Sequence, residues 1–484
     1  MTIMCKYAKL WKNSSKRVII KRLLLPCCVF LLWINGVKSM SQMSRKNESQ
    51  NLTVTEKVIM IRKKNKVPQI ALAEAINIGK DRISRIERGE EEYTEKHLKA
   101  IKEYFMIVGL PITDQECIAF RERLYYWRDL IRAKKFDEAN VIRKEVANID
   151  RIAPYALELV WLCKMIEMQL CIAEGDYKSA SAKLEIPQKS IDEMNIENTF
   201  HYLYNKGVLC VHQDKYEEGL DYLLRAYELM EDDESFMSRD NGYLYYYMAM
   251  SYSYLELPYQ AIVFWQKARQ AHPSNITSGF TLNADRGNIP EYIKTNQIKA
   301  AEKLLNKCQI KAESIRDDEH IGMTFFYYGY LHRNTKRWVS AIEYFEKAMD
   351  LLPEGTDRYY SSHYHKVHCI IKTRAFSKAR QCLDQAISLC NASDVWKSYF
   401  EALEHYLKIS NYMTSFKNDE SIEYILNIAI PYFIKMHDYF TAIDYYSLLE
   451  THYEKIESKM KSLLMTKAIH GIYKRCFTGD GRGN

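Results

Sequence analysis

Glycine and proline are scarce, 17 and 10 in 484 residues, about half of ordinary usage. That shortage excludes collagen-like and Gly/Pro-rich low-complexity chains and leaves helix as the main element. The 12 cysteines contain no C-x-x-C pair. Cys171, Cys210, Cys308 and Cys382 fall at apolar helical positions, which suits buried reduced thiols better than a disulfide framework. The apolar run from Leu23 to Ile34 is twelve residues, short of the roughly 20 that span a membrane. A Gly-rich phosphate loop, G-x-S-x-G, H-E-x-x-H and a scaffolded pair of carboxylates are all missing. The expectation is therefore a cytoplasmic protein that is not an enzyme, needs no cofactor and has no membrane partner.

The chain is too long for one core, since single cores stop growing near roughly 250 to 300 residues. Charge divides it unevenly. Residues 1–50 hold ten Lys or Arg against one acid, residues 53–108 hold twelve bases and nine acids, and the remainder is acidic by five. Only the front of the chain attracts polyanions. Residues 1–50 read as a basic, apolar leader: an over-extended start ahead of Met40 and Met43, or a secretory signal or anchor.

Between Thr53 and Ile107 apolar residues recur at helical spacing in four short groups, around Val58, Leu72, Ile83 and Ile101, which predicts a compact helical domain over 51–108. The second and third groups meet at NIGKD, where Gly79 is expected to turn the chain and start the next helix, as in a helix-turn-helix. The stretch QIALAEAINIGKDRISRIERG resembles the Xre/Cro/phage-repressor class of DNA-binding domains. The resemblance implies that Gln69 bonds a phosphate, that Lys80, Asp81 and Arg85 face base edges of double-stranded DNA, that Arg82 and Arg88 lie near its backbone, and that Arg62 pairs with Glu87. Arg85 and Lys80 suit guanine acceptors. Asp81 either accepts from a cytosine amine or marks a weakened reader, and the acidic run Glu90 to Glu92 argues for protein contact in place of DNA.

A helical linker is expected over 109–123. From Leu124 to about residue 475 a bulky residue is followed three positions later by a small one, as in Phe136/Ala139, Tyr177/Ala180, Tyr216/Gly219, Pro258/Ala261, Ile298/Ala301, Trp338/Ala341, Phe376/Ala379 and Tyr439/Ala442, with a weak copy near Ser421. From Phe136 to Phe376 neighbouring anchors stand 38 to 42 residues apart. These units resemble tetratricopeptide repeats of long period, and the resemblance implies about nine hairpins stacked into a right-handed superhelix with a concave, peptide-binding face. The fold class expected is all-α, a helix-turn-helix domain followed by that superhelix.

By the register of such repeats the concave face carries His201, Tyr204, Asn205 and Val208, then Tyr243, Tyr246, Tyr247 and Met250, then Met323, Phe326, Tyr327 and Tyr330, then Tyr364, His365 and His368. Tyr and Asn suit peptide recognition, because an amide can bond a ligand backbone through both its donor and its acceptor. Most of the 37 tyrosines must simply pack hairpins together. The stretch SSHYHKVHC sets His365 and His368 on one helical face but lacks acidic or Cys partners at matching spacing, so no metal site is expected.

A helix-turn-helix followed by long-period repeats resembles the Gram-positive intracellular peptide-pheromone receptors, the Rap, NprR, PlcR and PrgX group. That resemblance implies a quorum-sensing transcription regulator whose repeats bind a short signalling peptide, with Asn205 on the peptide backbone and a dimer or tetramer of the chain on DNA. The Rap members imply two alternatives, binding or dephosphorylation of a response regulator; a peptide-independent scaffold is a third.

Overall fold

The computed structural model describes residues 52–186, 190–191, 194–231, 241–271, 278–390, 394–414, 419–435 and 439–478; the leader assigned to 1–50 lies outside them. Among the described residues every regular element is helical, and no helix is long and apolar enough to cross a membrane. They fall into two compact units, Glu48–Asp317 and Asp318–Asn484.

The first unit opens with α1 (Val54–Lys64), α2 (Gln69–Ala75), α3 (Lys80–Glu87) and α4 (Glu95–Tyr104). Thr53 and Glu56 cap α1 reciprocally, satisfying two N–H groups that the first turn leaves open. Val58, Ile61, Leu72, Ile83, Ile86 and Ile101, buried with no exposed surface, close the four helices on each other. Their core runs without a break into that of the following helices, through Ile107, Leu110 and Ile112 to Leu124 and Trp127. The stretch expected as a linker, 109–123, holds a turn at Gly109 (φ 83°) and the start of α5 (Asp114–Arg132). Lys57 Nζ meets Asp114 at 2.5 Å and Lys102 Nζ meets Glu116 at 2.6 Å. Tyr155 donates to the Pro111 carbonyl at 2.7 Å and Arg151 to that of Phe105 at 2.9 Å. The front domain is thus packed against the first helices that follow it, α5 and those over Phe136–Glu145 and Leu157–Ala173.

The array continues as α6 (Phe136–Glu145), α7 (Leu157–Ala173), α8 (Tyr177–Leu184), α9 (Ile196–His212), α10 (Tyr216–Glu231), α11 (Asn241–Tyr254), α12 (Pro258–Ala271), α13 (Ser278–Lys294) and α14 (Ile298–Ile315). From α5 onward they pack in successive pairs. The second unit repeats the scheme with α15 (Asp318–Asn334), α16 (Trp338–Leu351), α17 (Asp357–Lys372), α18 (Phe376–Leu389) and α19 (Asp394–Thr414), then α20 (Asp419–Tyr424) and α21 (Ile430–Lys435) joined by a π-helical turn, and finally α22 (Tyr439–Lys455) and α23 (Lys459–Thr478).

Small residues sit where helices touch. A Cβ on Gly207 would lie 2.7 Å from the Leu223 side chain and 3.0 Å from the Gly219 carbonyl oxygen, and one on Gly329 would lie 2.7 Å from the Phe345 ring. The hairpin turns explain the shortage of glycine. One residue per described hairpin turn is left-handed, and most are not glycine: Lys134, Asp214, Glu256, Asn296, Lys336, Arg374 and Glu457, with Gly175 the exception. The N–H of the next residue closes a loop onto the carbonyl five back, as in Lys215 to Cys210 at 2.9 Å and Gln297 to Tyr292 at 2.7 Å. Left-handed backbone costs such residues about 1 kcal/mol or more, which these bonds and the packed hairpin offset.

Candidate functional site

In the helix-turn-helix, α3 buries Ile83 and Ile86 and turns Lys80, Asp81, Arg82 and Arg85 outward. The turn before it differs from the expectation placed on Gly79. Gly79 is an extended N-cap (φ −68°), and the left-handed residue is Asn77 (φ 56°). Asn tolerates that region, and the Ile78 N–H closes the turn onto the Ala73 carbonyl at 2.9 Å.

Arg62 grips Glu87 with two parallel bonds, Nε to Oε1 and Nη2 to Oε2, both 2.7 Å. Its third donor reaches the Val67 carbonyl at 3.0 Å. Gln69, expected on a phosphate, donates Nε2 to Glu87 Oε2 at 2.6 Å. That bond ties the start of α2 to the ion pair. The arginines on the outer face are also engaged. Glu91 receives Arg82 at 3.0 Å and Arg85 at 2.8 Å, and Glu90 receives Arg88 at 2.7 Å. The Arg88 hydrogen bond holds the Glu90 carboxyl below its usual pKa. Gly89 (φ 82°) folds this acidic turn back along α3, and the Glu90 N–H bonds the Arg85 carbonyl at 3.0 Å. Lys80 and Asp81 make no ion pair among the described residues.

A cavity of about 450 Å³ opens in the repeats of the first unit. Five residues expected on the concave face, Tyr204, Asn205, Val208, Tyr243 and Tyr247, line it together. Arg132 of α5 stands over the Tyr243 ring, 4.2 Å from its centre. His212 stacks on Tyr177 at 5.7 Å and lies 3.4 Å from the Tyr247 hydroxyl. Burial lowers its pKa, so it is neutral at pH 7. Asn205 is fully enclosed: Nδ2 donates to the Met165 carbonyl and Oδ1 accepts from Gln169 Nε2, each at 2.9 Å.

Three residues expected beside them, His201, Tyr246 and Met250, do not line the cavity. His201 has no exposed surface and packs inside between Phe200 at 5.4 Å and Tyr125 at 6.4 Å, because it stands one turn before Asn205 where α9 is covered by α5. Tyr246 turns aside onto Trp265 at 4.9 Å. Conversely Arg132, Gln169, Tyr177 and His212 line the cavity and escaped the sequence reading. The structure shows what they share: Arg132 and His212 each stand two residues before a left-handed turn residue, Lys134 and Asp214.

The other expected contacts gather in the second unit. Phe326, Tyr330 and Tyr364 surround the His365 ring at 5.9, 5.8 and 5.3 Å. Tyr327 is buried beside Phe326, and His368 stacks on Tyr406 at 5.3 Å.

This is a helix-turn-helix domain joined to an array of paired helices. Residues 58–105 match the helix-turn-helix family HTH_3. The fold over 73% of the chain is similar to the apo form of the quorum sensor NprR from B. thuringiensis, at 18% identity, 98% of that chain and a TM-score of 0.61. NprR in complex with its cognate peptide NprX is similar over 73% of this chain and 99% of that one, with 20% identity and a TM-score of 0.54. A Rap protein complexed with Competence and Sporulation Factor is similar over 74% and 98%, with 14% identity and a TM-score of 0.55. No curated protein sequence matches the chain. The chain therefore combines an Xre-like helix-turn-helix domain with the helical-repeat fold seen in NprR and Rap proteins.

Proposed function

We propose that the protein is a cytoplasmic transcription regulator that acts by binding: the helix-turn-helix reads double-stranded DNA, and a short signalling peptide held in the cavity of the first unit controls it. The observation that carries this reading is the outward face of α3, where Lys80, Arg82 and Arg85 stand exposed on a helix locked from behind by Arg62, Glu87 and Gln69. One such reader makes few phosphate contacts. Useful specificity then needs two copies about 34 Å apart, so the chain works as a dimer or tetramer. A peptide that binds one arrangement better shifts the population toward it.

The test is a selection of genomic DNA fragments by the full chain at about 150 mM salt, where non-specific binding has largely faded, with and without peptides from spent culture medium. An enriched palindrome that appears or vanishes with the peptides supports the reading. No enrichment in either condition overturns it. Arg85→Ala is expected to weaken that site by about 1 to 3 kcal/mol and to relax it at one base position. Uniform weakening across all sequences would instead place Arg85 on a phosphate.

The pairing of Glu90 and Glu91 with the three arginines favours a second reading, a front domain that contacts a response regulator in place of DNA. Glu91→Gln separates the two. It releases Arg82 and Arg85 from a half-exposed pair worth about 0 to 1 kcal/mol, so on the DNA reading affinity rises up to about fivefold. A fall in DNA affinity, measured by titration at fixed salt, would count against the DNA reading.

A further inference from the structure

Arg333, on the last turn of α15, points Nη1 at His365 Nδ1, 2.6 Å away. The guanidinium also lies 5.6 Å from the centre of the Tyr330 ring. Neither Arg333 nor Lys372 pairs with a carboxylate among the described residues. A half-buried cation leaning on a neutral imidazole is poorly compensated, since burial of charge is costly without a counter-ion. Among the described residues no carboxylate pairs with Arg333, and Glu346 of α16 is turned to Lys366, 3.7 Å away. From α16 come the rings of Phe345 and Trp338, from α17 itself Arg358, His368 and Lys372, and from α19 the Tyr406 ring. Burial pushes His365 well below its ordinary pKa, aided by Arg333, His368 and Arg358, and brings His368 to about 3, aided by Arg333 and Lys372. Every charge acting on the two imidazoles is positive.

We propose that Arg333, with His365 and His368 beside it, is a site for a carboxylate borne by a short ligand whose adjoining group is aromatic or apolar. The guanidinium fork matches a carboxylate's two oxygens. The rings of Phe326, Tyr330 and Tyr364 around His365 give the adjoining group an apolar wall. The inference rests on the peptide reading only in naming a class of source: the carboxylate is the C-terminus, or an acidic side chain near it, of a short peptide bound at the second unit in its own right. Because the bound anion favours the charged form of its neighbours, it raises the pKa of His365, and affinity climbs as pH falls.

The probe is N-acetyl-phenylalanine, with its C-terminal amide as the uncharged twin, titrated calorimetrically into the full chain. The acid is expected to bind at least about tenfold tighter than the amide. Its affinity should rise as pH falls toward the depressed pKa of His365, and Arg333→Gln should erase both differences while Arg333→Lys keeps part of the first. Equal binding of acid and amide, or an Arg333→Gln variant that folds by circular dichroism and still prefers the acid, overturns the proposal. A peptide recovered from culture medium separates this from the broader reading. If amidating its C-terminus and replacing its acidic side chains leave affinity unchanged, the peptide reading stands and the carboxylate site falls. If no peptide is recovered but N-acetyl-phenylalanine behaves as expected, the site stands and the peptide reading falls.

Discussion

Glu87→Ala is expected to destabilise the front domain by about 3 to 5 kcal/mol, the loss typical of removing one partner of a buried ion pair. Arg62 is only 9% exposed and two of its three bonds end on Glu87, so truncation leaves a buried guanidinium with the Val67 carbonyl alone. Gln69 loses its acceptor in the same step. Because this core is continuous with α5 and α7, the damage should spread to Trp127, fully buried in the same cluster. Tryptophan fluorescence of the full chain in urea would register it as a lower midpoint or an early separate transition. The paired replacement Arg62→Met with Glu87→Leu removes both charges and is expected to recover most of the loss, since apolar groups of similar volume often substitute for a buried pair at little cost. A single mutant within about 1 kcal/mol of the parent would show that the pair is solvated in solution and braces nothing.

What the sequence spelled and what it hid divide along physical lines. The front domain was legible because its interior uses large aliphatics at helical spacing, and because Arg62 and Glu87 occupy positions that only a folded domain brings together. The array was legible because close helix contact demands small residues, as at Gly207 against Leu223 and Gly329 against Phe345. The turns were not. Left-handed residues are ordinarily found through glycine, whereas here Asn77, Lys134, Asp214 and Glu256 take that conformation, and nothing local in a Lys or a Glu announces it. Register suffered accordingly. Counting from the small residues put Asn205 and Tyr247, which line the cavity, on the same face as His201, whose turn α5 covers. Counting from the left-handed turn places Arg132 and His212 at equivalent positions. Pairing between Glu91 and the α3 arginines is also beyond sequence periodicity, since it depends on Gly89 folding the acidic turn back.

On the peptide reading, Asn205→Ala should cost the ligand about 1 to 3 kcal/mol, the usual loss when an amide that meets a ligand is removed, while DNA affinity without peptide stays unchanged. The amide has capacity to spare. It uses one N–H on Met165 and one lone pair on Gln169, leaving one of each for a peptide backbone. With no exposed surface of its own, it can be reached only if Gln169 withdraws, so ligand and Gln169 compete for the same oxygen. Gln169→Ala is therefore expected to bind peptide at least as tightly as the parent, opposite in sign to Asn205→Ala. Were Gln169 itself a ligand contact, both changes would weaken binding. The cavity, at about 450 Å³, lies within the range of sites that bury small ligands, roughly 300 to 1,000 Å³, and accommodates a few residues of peptide, not a long segment. Calorimetry with the two variants and one recovered peptide decides between the outcomes: opposite signs place the backbone contact on Asn205, and matching losses move it to Gln169. Two unchanged affinities would take the peptide out of this cavity altogether.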